Sequence, residues 1–228
     1  TGAGIYAEAG DGYITINGNN IHNNEADGDY AAGGGIYARG YLQITGNDIA
    51  GNKVSGHCAI GGGIAAFYKT PGNGGGDYEA EIPEDAQILY MADNLIEDNT
   101  VSGNHALGGG IVLDRITNGA SIDDASATAI SAENRAVILS NTIINNMVQS
   151  LGNTGGGGGI SVRYLGDEES AADIQATSAS APIAGDIIIG YNLIAQNEVS
   201  AGSLGVGCGI YINQLANTIV PNNVIAEN

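Results

Sequence analysis

The sequence lacks Trp, contains Phe once, and has only 6 Lys and Arg residues against 25 Asp and Glu among its 228 residues. So few large aromatic side chains argue against a compact globule packed around them. The net charge of −19 argues against nucleic acid as a partner, because phosphate binding requires clustered cations. The same scarcity of cations argues against docking on an anionic membrane, whereas the acidity favours solubility and the attraction of cations.

Cysteine and long apolar runs are also scarce. Cys58 and Cys208 are the two cysteines, too few for a disulfide framework, and without a Cys-x-x-Cys motif they give little support for zinc or c-type haem. No apolar run approaches the ~18 residues of a membrane-spanning helix, so direct membrane insertion is not predicted. The uniform composition predicts a single domain over residues 1–228.

Glycine, in contrast, is abundant, with 38 residues, and much of it belongs to an internal repeat. A Gly-rich tripeptide followed by Ile occurs six times, ending at Ile5, Ile36, Ile64, Ile111, Ile160 and Ile210. Each copy is followed by the motif Asn-x-Ile-x-x-Asn. The opening residues of this motif are Asn19, Asn47, Asn94, Asn141, Asn192 and Asn223, and the closing residues are Asn24, Asn52, Asn99, Asn146, Asn197 and Asn228. A repeat of this kind is typical of a solenoid.

Apolar residues alternate with polar ones in the segments between these motifs, as in Ile14 and Ile16 or Leu42 and Ile44. A period of two indicates strands with one buried face, and no helical period is seen. A single repeat could not bury its apolar face alone, but six stacked repeats would bury one continuous column. The sequence therefore predicts an all-β fold, a right-handed parallel β-helix of about six rungs with three short strands per rung.

The repeated asparagines have a physical explanation in such a fold. Asn tolerates the left-handed backbone conformation that a sharp corner requires, so we expect the motif asparagines to occupy the corners themselves. Stacked amide side chains can also hydrogen-bond from one rung to the next. The two rows of asparagines are therefore predicted to form a ladder at a turn.

The repeats differ in length, with Ile-to-Ile separations of 31, 28, 47, 49 and 50 residues. The longer repeats carry insertions at about 68–87, 115–135 and 164–185, all at the same point of the repeat. Because rungs stack, these acidic insertions are expected side by side on one flank. Such insertions either are solvated decoration or form a binding or packing surface.

The paired motifs resemble those of a known family. Gly-Gly-x-Ile followed by Ile-x-x-Asn, as in Ile96–Asn99 and Ile194–Asn197, is similar to the Gly-Gly-Ala-Ile and Phe-x-x-Asn repeats of chlamydial-type polymorphic outer membrane proteins, with Ile in place of Phe. The resemblance implies a parallel β-helix of the pectate-lyase-like superfamily, and it implies surface display and adhesion.

The same superfamily contains polysaccharide lyases and hydrolases that use clustered carboxylates, often with Ca²⁺ and a basic residue. If this chain were such an enzyme, its candidate catalytic residues would be Asp123, Asp124, Arg135, Asp167 and Glu168. Catalytic groups are held best by rigid strands, and the strand positions here are mostly Ile, Ala, Gly, Ser and Tyr. No catalytic residue is therefore assigned, and a non-enzymatic role is favoured.

Other ligand-binding residues are weighed in the same way. No EF-hand or nonapeptide calcium repeat occurs, so no cofactor or metal site is predicted, although Ca²⁺ bound by the Asp-rich insertions remains an alternative. His22, His57 and His105 are expected in turns of different rungs, without a common ligand spacing. Tyr6, Tyr37 and Tyr211 are expected to point outward, where they could stack on sugars or on a neighbouring subunit.

Neither end of the repeat array carries a recognisable capping segment, and an open β-helix end exposes unpaired strand edges. Two explanations are open: the chain is part of a longer β-helix, or its ends pair with other copies. The leading expectation is an extracellular or cell-surface structural or adhesive protein that self-associates through its ends into a filament, sheath or surface layer. The alternative is a carbohydrate-binding or polysaccharide-cleaving β-helix acting through its acidic insertions.

Overall fold

The chain coils through six rungs, and each strand lies parallel to the equivalent strand of the next rung. The structure, a computed structural model, describes residues 3–67, 89–114, 136–163, 186–213 and 217–228. These ranges contain strands and turns only, and every strand pairing between rungs is parallel. The predicted parallel β-helix is confirmed.

Three sheets form the walls of the coil. Sheet A contains β1 (Ile5–Asn17), β4 (Ile36–Thr45), β7 (Ile64–Phe67), β8 (Leu89–Ala92), β11 (Ile111–Asp114), β12 (Ala136–Leu139), β15 (Ile160–Arg163), β16 (Asp186–Gly190), β20 (Ile210–Asn213) and β21 (Asn217–Ile219). Sheet B contains β2 (Asn20–His22), β5 (Asp48–Ala50), β9 (Leu95–Glu97), β13 (Thr142–Ile144), β17 (Leu193–Ala195) and β22 (Val224–Ala226). Sheet C contains β3 (Glu25–Asp27), β6 (Lys53–Ile60), β10 (Thr100–Leu107), β14 (Met147–Gly156), β18 (Glu198–Ala201) and β19 (Leu204–Val206).

We number the rungs 1 to 6 from the first Gly motif to the last. In rungs 1 and 2 the sheet A strand is continuous, whereas in rungs 3 to 6 it is divided in two. The first half of β4 pairs with β7 and the second half pairs with β8, with Arg39 opposite Phe67 and Leu42 opposite Leu89. The additional residues of the longer repeats thus all enter the coil within sheet A.

The core is a column of inward side chains that runs through the rungs. Each inward Ile of sheet B lies over its equivalent, so that Ile21 pairs with Ile49 and Ile49 with Ile96. Ile49 and Ile96 are fully buried, together with sheet A residues such as Ile44. Sheet C contributes smaller Val and Ala residues to its own cluster. Burial of these β-branched side chains on a pleated wall is the main stabilising term of the fold.

The corners differ from the expectation based on sequence. The motif asparagines do not adopt the left-handed conformation; the residue immediately before each of them does. These residues, with φ between 53° and 66°, are Gly18, Asn23, Gly46, Gly51, Asp93, Asp98, Ser140, Asn145, Tyr191, Gln196, Asn222 and Glu227. Because the left-handed residue comes one position earlier, the Asn that follows it directs its amide inward between the sheets. There the amides of successive rungs can stack.

The Gly motifs are needed for close approach between rungs. Gly109 donates its N–H to the carbonyl oxygen of Gly157 at 3.1 Å. A Cβ atom on Gly109 would lie 2.6 Å from the carbonyl oxygen of Gly158 and 2.8 Å from the backbone nitrogen of Met147. Because both neighbours are backbone atoms, a larger residue would have to push the rungs apart.

Candidate functional surfaces

Two rows of asparagines connect the rungs through their side-chain amides, one row from the opening residues of the motif and one from the closing residues. At every step the backbone N–H and the Nδ2 group of one Asn donate to Oδ1 of the next Asn, over 2.9–3.1 Å. The predicted ladder is therefore confirmed, and it is double.

Asn99 illustrates how completely an internal ladder amide is bonded. Its Nδ2 group donates to Asn146 Oδ1 and to the carbonyl oxygen of Ile49, both at 2.9 Å. Its Oδ1 atom accepts from the backbone N–H and the Nδ2 group of Asn52. An amide side chain has two N–H donors and two oxygen lone pairs, so all its bonding capacity is used. This explains how Asn99 can be fully buried without an energetic penalty for orphaned polar atoms.

The conditional catalytic residues Asp123, Asp124, Arg135, Asp167 and Glu168 lie outside the described residues. The backbone on either side of their segments is described. Asp114 lies in register between Phe67 and Arg163, and Ala136 lies in register between Leu89 and Ile187. The three long segments therefore all begin at equivalent positions of sheet A. The chain also returns to the sheet at equivalent positions after each of them.

An aromatic cluster lies on the outer side of sheet A in the first three rungs. The rings of Tyr6 and Tyr37 stack with centroids 4.9 Å apart and planes inclined by 6°, and Phe67 continues the row at 4.9 Å from Tyr37. Tyr6 is exposed, as expected from its outward position, whereas Tyr37 is half-buried between its neighbours. Tyr13 is also exposed, and its ring lies 5.5 Å from that of Tyr41.

Two charged residues, Glu8 and Arg39, lie in the same strands as these rings and are partners in the strand register. The hydrogen bond from the Tyr6 hydroxyl to the Glu8 carboxylate raises the pKa of Tyr6 above its ordinary value of 10.0. Partial burial, with a further contribution from the negative charge of Glu8, raises the pKa of Tyr37 as well. Both phenols therefore remain neutral hydrogen-bond donors at physiological pH, and Glu8 orients them.

The histidines lie in strands, which corrects the expectation that they occupy turns. His22, in β2, contacts Asp48 with 3.0 Å between Nε2 and Oδ1. His57, in β6, and His105, in β10, come together from neighbouring rungs with ring centroids 5.5 Å apart. The sequence motifs did not reveal this pair, because the two residues lie at different distances from the ladder asparagines that precede them.

Within the described residues, no three His, Cys, Asp or Glu side chains are placed to hold a metal ion together. Cys58 and Cys208 both carry free thiols. In the same part of the chain, no helix has the length and hydrophobicity required to cross a bilayer.

Comparisons with protein-family models, with curated proteins and with solved structures gave no match to this chain. The resemblance to polymorphic outer membrane proteins therefore remains a prediction. The function is argued below from the geometry of the coil and its surfaces.

Proposed function

We propose that this chain is an extracellular structural or adhesive surface element, a stiff rod whose role is to span distance and to present side chains. The observation that carries this proposal is the double asparagine ladder through all six rungs, combined with the continuous Ile column. The inward and ladder positions carry the same types of stacking residue in every rung. The side chains that differ between rungs therefore lie mainly on the outer faces. The acidic composition, with a net charge of −19, keeps such a rod soluble.

Self-association through the ends of the coil is part of the proposal, and the ladder polarity supports it. In each row, amide donors point towards the following rung and Oδ1 acceptors point towards the preceding one. Asn223 and Asn228 in rung 6 receive hydrogen bonds from Asn192 and Asn197 through Oδ1. A further rung bearing two ladder asparagines, such as rung 1 of a second copy with Asn19 and Asn24, would supply the Oδ1 acceptors for their donors.

The apolar residues of rung 6 match the same partner. Ile225 is 50% exposed, although it continues the column formed by the fully buried Ile194. Placing rung 1 of a second copy against rung 6 would cover Ile225 and extend the column by one step. Most of the apolar surface removed from water would belong to rung 6, because Ile21 of rung 1 is only 5% exposed. Removing this apolar surface from water favours association, at about 25 cal/mol per Å² buried.

Electron microscopy and sedimentation velocity of the 228-residue chain test the end-to-end model. We expect polymers that persist on dilution and that are abolished by Ile225→Asp, because the charge would be buried in the axial column. Val224→Asp is the matched control, since Val224 lies on the outer face of sheet B and is 59% exposed. It should leave the polymers intact.

A strictly monomeric wild-type chain, or equal behaviour of the two variants, would contradict end-to-end stacking. Surface display needs a separate measurement, which is immunogold labelling of intact source cells with an antibody against this chain. Label on unpermeabilised cells is the expected result, and label that requires permeabilisation would contradict an extracellular location.

A second candidate function, carbohydrate binding, is favoured by the aromatic cluster. Exposed Tyr rings beside a carboxylate and a guanidinium suit a sugar, whose C–H face can stack on a ring while its hydroxyls bond to Glu8 and Arg39. A polysaccharide binding panel should lose its signal with Tyr6→Ala but retain it with Tyr30→Ala, an exposed tyrosine elsewhere. Cleavage assays with and without Ca²⁺, using Asp123→Ala and Asp167→Ala, test the enzymatic form of this candidate.

A further inference from the structure

His57 and His105 meet on the outer side of sheet C, although they are far apart in the sequence. Their strands β6 and β10 are neighbours, and His105 is the register partner of Cys58, the residue that follows His57. The two rings are inclined by 78° with centroids 5.5 Å apart, and both side chains are exposed. Strands held in a parallel sheet position these imidazoles more rigidly than loops would.

Asn104 fixes the orientation of one of the rings. Its amide nitrogen Nδ2 lies 3.0 Å from Nδ1 of His57. Because Asn104 is exposed, its amide can rotate by half a turn, which places Oδ1 at this position to accept an N–H from Nδ1 of His57. A hydrogen bond of this kind on one ring nitrogen leaves the other, Nε2, as a lone-pair donor, which is the usual arrangement of a metal-binding histidine.

We propose that His57 and His105 form a two-histidine binding site for a divalent transition ion such as Zn²⁺ or Ni²⁺, with Asn104 as a positioning residue. Two imidazoles bound to one Zn²⁺, with Zn–N distances of about 2.0–2.1 Å, have ring centres roughly 5 Å apart. The observed 5.5 Å needs only a small adjustment of exposed side chains. The remaining coordination positions are filled by water or by a donor from a second molecule.

The chemistry of the donors separates this site from calcium binding. Neutral imidazole suits Zn²⁺, Ni²⁺ and Cu²⁺, whereas Ca²⁺ and Mg²⁺ take oxygen ligands. The strong negative charge of the chain raises the local concentration of any cation without selecting among them. Selectivity for a transition ion over Ca²⁺ is therefore the property that identifies the histidine site.

Isothermal titration calorimetry of the untagged chain with Zn²⁺, in a large excess of Ca²⁺, tests the proposal. The Ca²⁺ saturates carboxylates, so the expected result is one Zn²⁺ per chain. His57→Gln and His105→Gln should each weaken that binding at least tenfold, and Asn104→Ala should weaken it about tenfold. His22→Gln is the matched control and should leave the binding unchanged, because His22 lies on sheet B beside Asp48.

Two results would overturn the site. The first is Zn²⁺ binding that disappears in excess Ca²⁺, which would assign it to the carboxylates. The second is unchanged binding in His57→Gln or His105→Gln, with circular dichroism showing that the variant is folded. Both histidines are exposed, so their replacement should not disturb the coil.

Discussion

The Nδ2 group of Asn52 donates a hydrogen bond to Oδ1 of Asn99 over 3.0 Å, across 47 residues of chain. The step before it, from Asn24 to Asn52, spans 28 residues with almost the same distance, 2.9 Å. The ladder is therefore insensitive to the length of chain between its members. Insertions can enter sheet A without disturbing the opposite corner, because the register there is set by the amides.

Removing one internal ladder amide should be costly. Asn99→Ala would leave the backbone N–H of Asn52 and one N–H of its Nδ2 group without an acceptor in a buried site. It would also remove one hydrogen bond each from the carbonyl oxygen of Ile49 and from Oδ1 of Asn146, which still accepts the backbone N–H of residue 99. At about 1–3 kcal/mol for each orphaned group, with partial relaxation, we expect a loss of about 4 kcal/mol in the free energy of unfolding. Urea denaturation measures this loss, and hydrogen exchange at the Asn52 amide should accelerate.

Asn20→Ala is the control for the ladder prediction, because Asn20 is exposed and lies in β2 between the two ladder positions. Its replacement should change the unfolding free energy by less than about 0.5 kcal/mol. Equal destabilisation by the two substitutions would mean that a buried ladder amide contributes no more to the free energy of unfolding than an exposed asparagine does.

Gly109→Ala tests whether the glycines are required for space. Its Cβ would lie within 2.8 Å of backbone atoms of Gly158 and Met147, so we expect destabilisation of about 3 kcal/mol from forced separation of the backbones. Gly46→Ala tests the effect of backbone conformation without a steric clash. A Cβ at this position meets no atom within 4 Å, while φ is +61°. That variant should lose only about 1 kcal/mol from left-handed strain. The urea midpoints of the two variants should rank accordingly.

Ser140→Gly should stabilise the coil. Ser140 is exposed and has φ of 55°, a conformation that glycine adopts without the strain of a side chain. The relief exceeds the greater entropy loss of glycine by about 0.5 kcal/mol, which should raise the midpoint of thermal unfolding. Thr142→Gly, two residues later in β13, should have the opposite effect. A destabilised Ser140→Gly variant would show that the serine side chain stabilises this corner.

Glu8→Gln should lower the pKa of both Tyr6 and Tyr37, because the carboxylate raises each of them. Ultraviolet titration of tyrosinate absorbance measures the change, and Glu25→Gln, on sheet C, should leave the titration unaltered. A raised pKa in the folded state means that the unfolded chain loses the phenolic proton first. The associated stability is therefore complete below pH 10.0, the ordinary pKa of tyrosine, and is lost as the pH rises above it. Glu8→Gln should weaken that alkaline loss.

Parts of the surface chemistry could have been predicted, and parts could not. Tyr6 and Tyr37 each follow the Ile of a Gly motif, so their stacking is implied by the repeat alone. Phe67 occupies a different position of its rung, opposite Arg39, and joins the row only because its ring reaches back to Tyr37. The left-handed corners were assigned one residue too late, because their occupants range from Gly18 and Ser140 to Tyr191 and share no identity.

The sequence alone determined the coil. The recurrence of Ile, Gly and Asn established parallel strands, the inward column and the amide ladders, because burial and stacking select the same residue types in every rung. The tertiary structure decided which outward side chains meet, as it does for His57 and His105. Outward positions carry no periodic burial constraint, so their contacts depend on the strand register and on the direction in which each side chain leans.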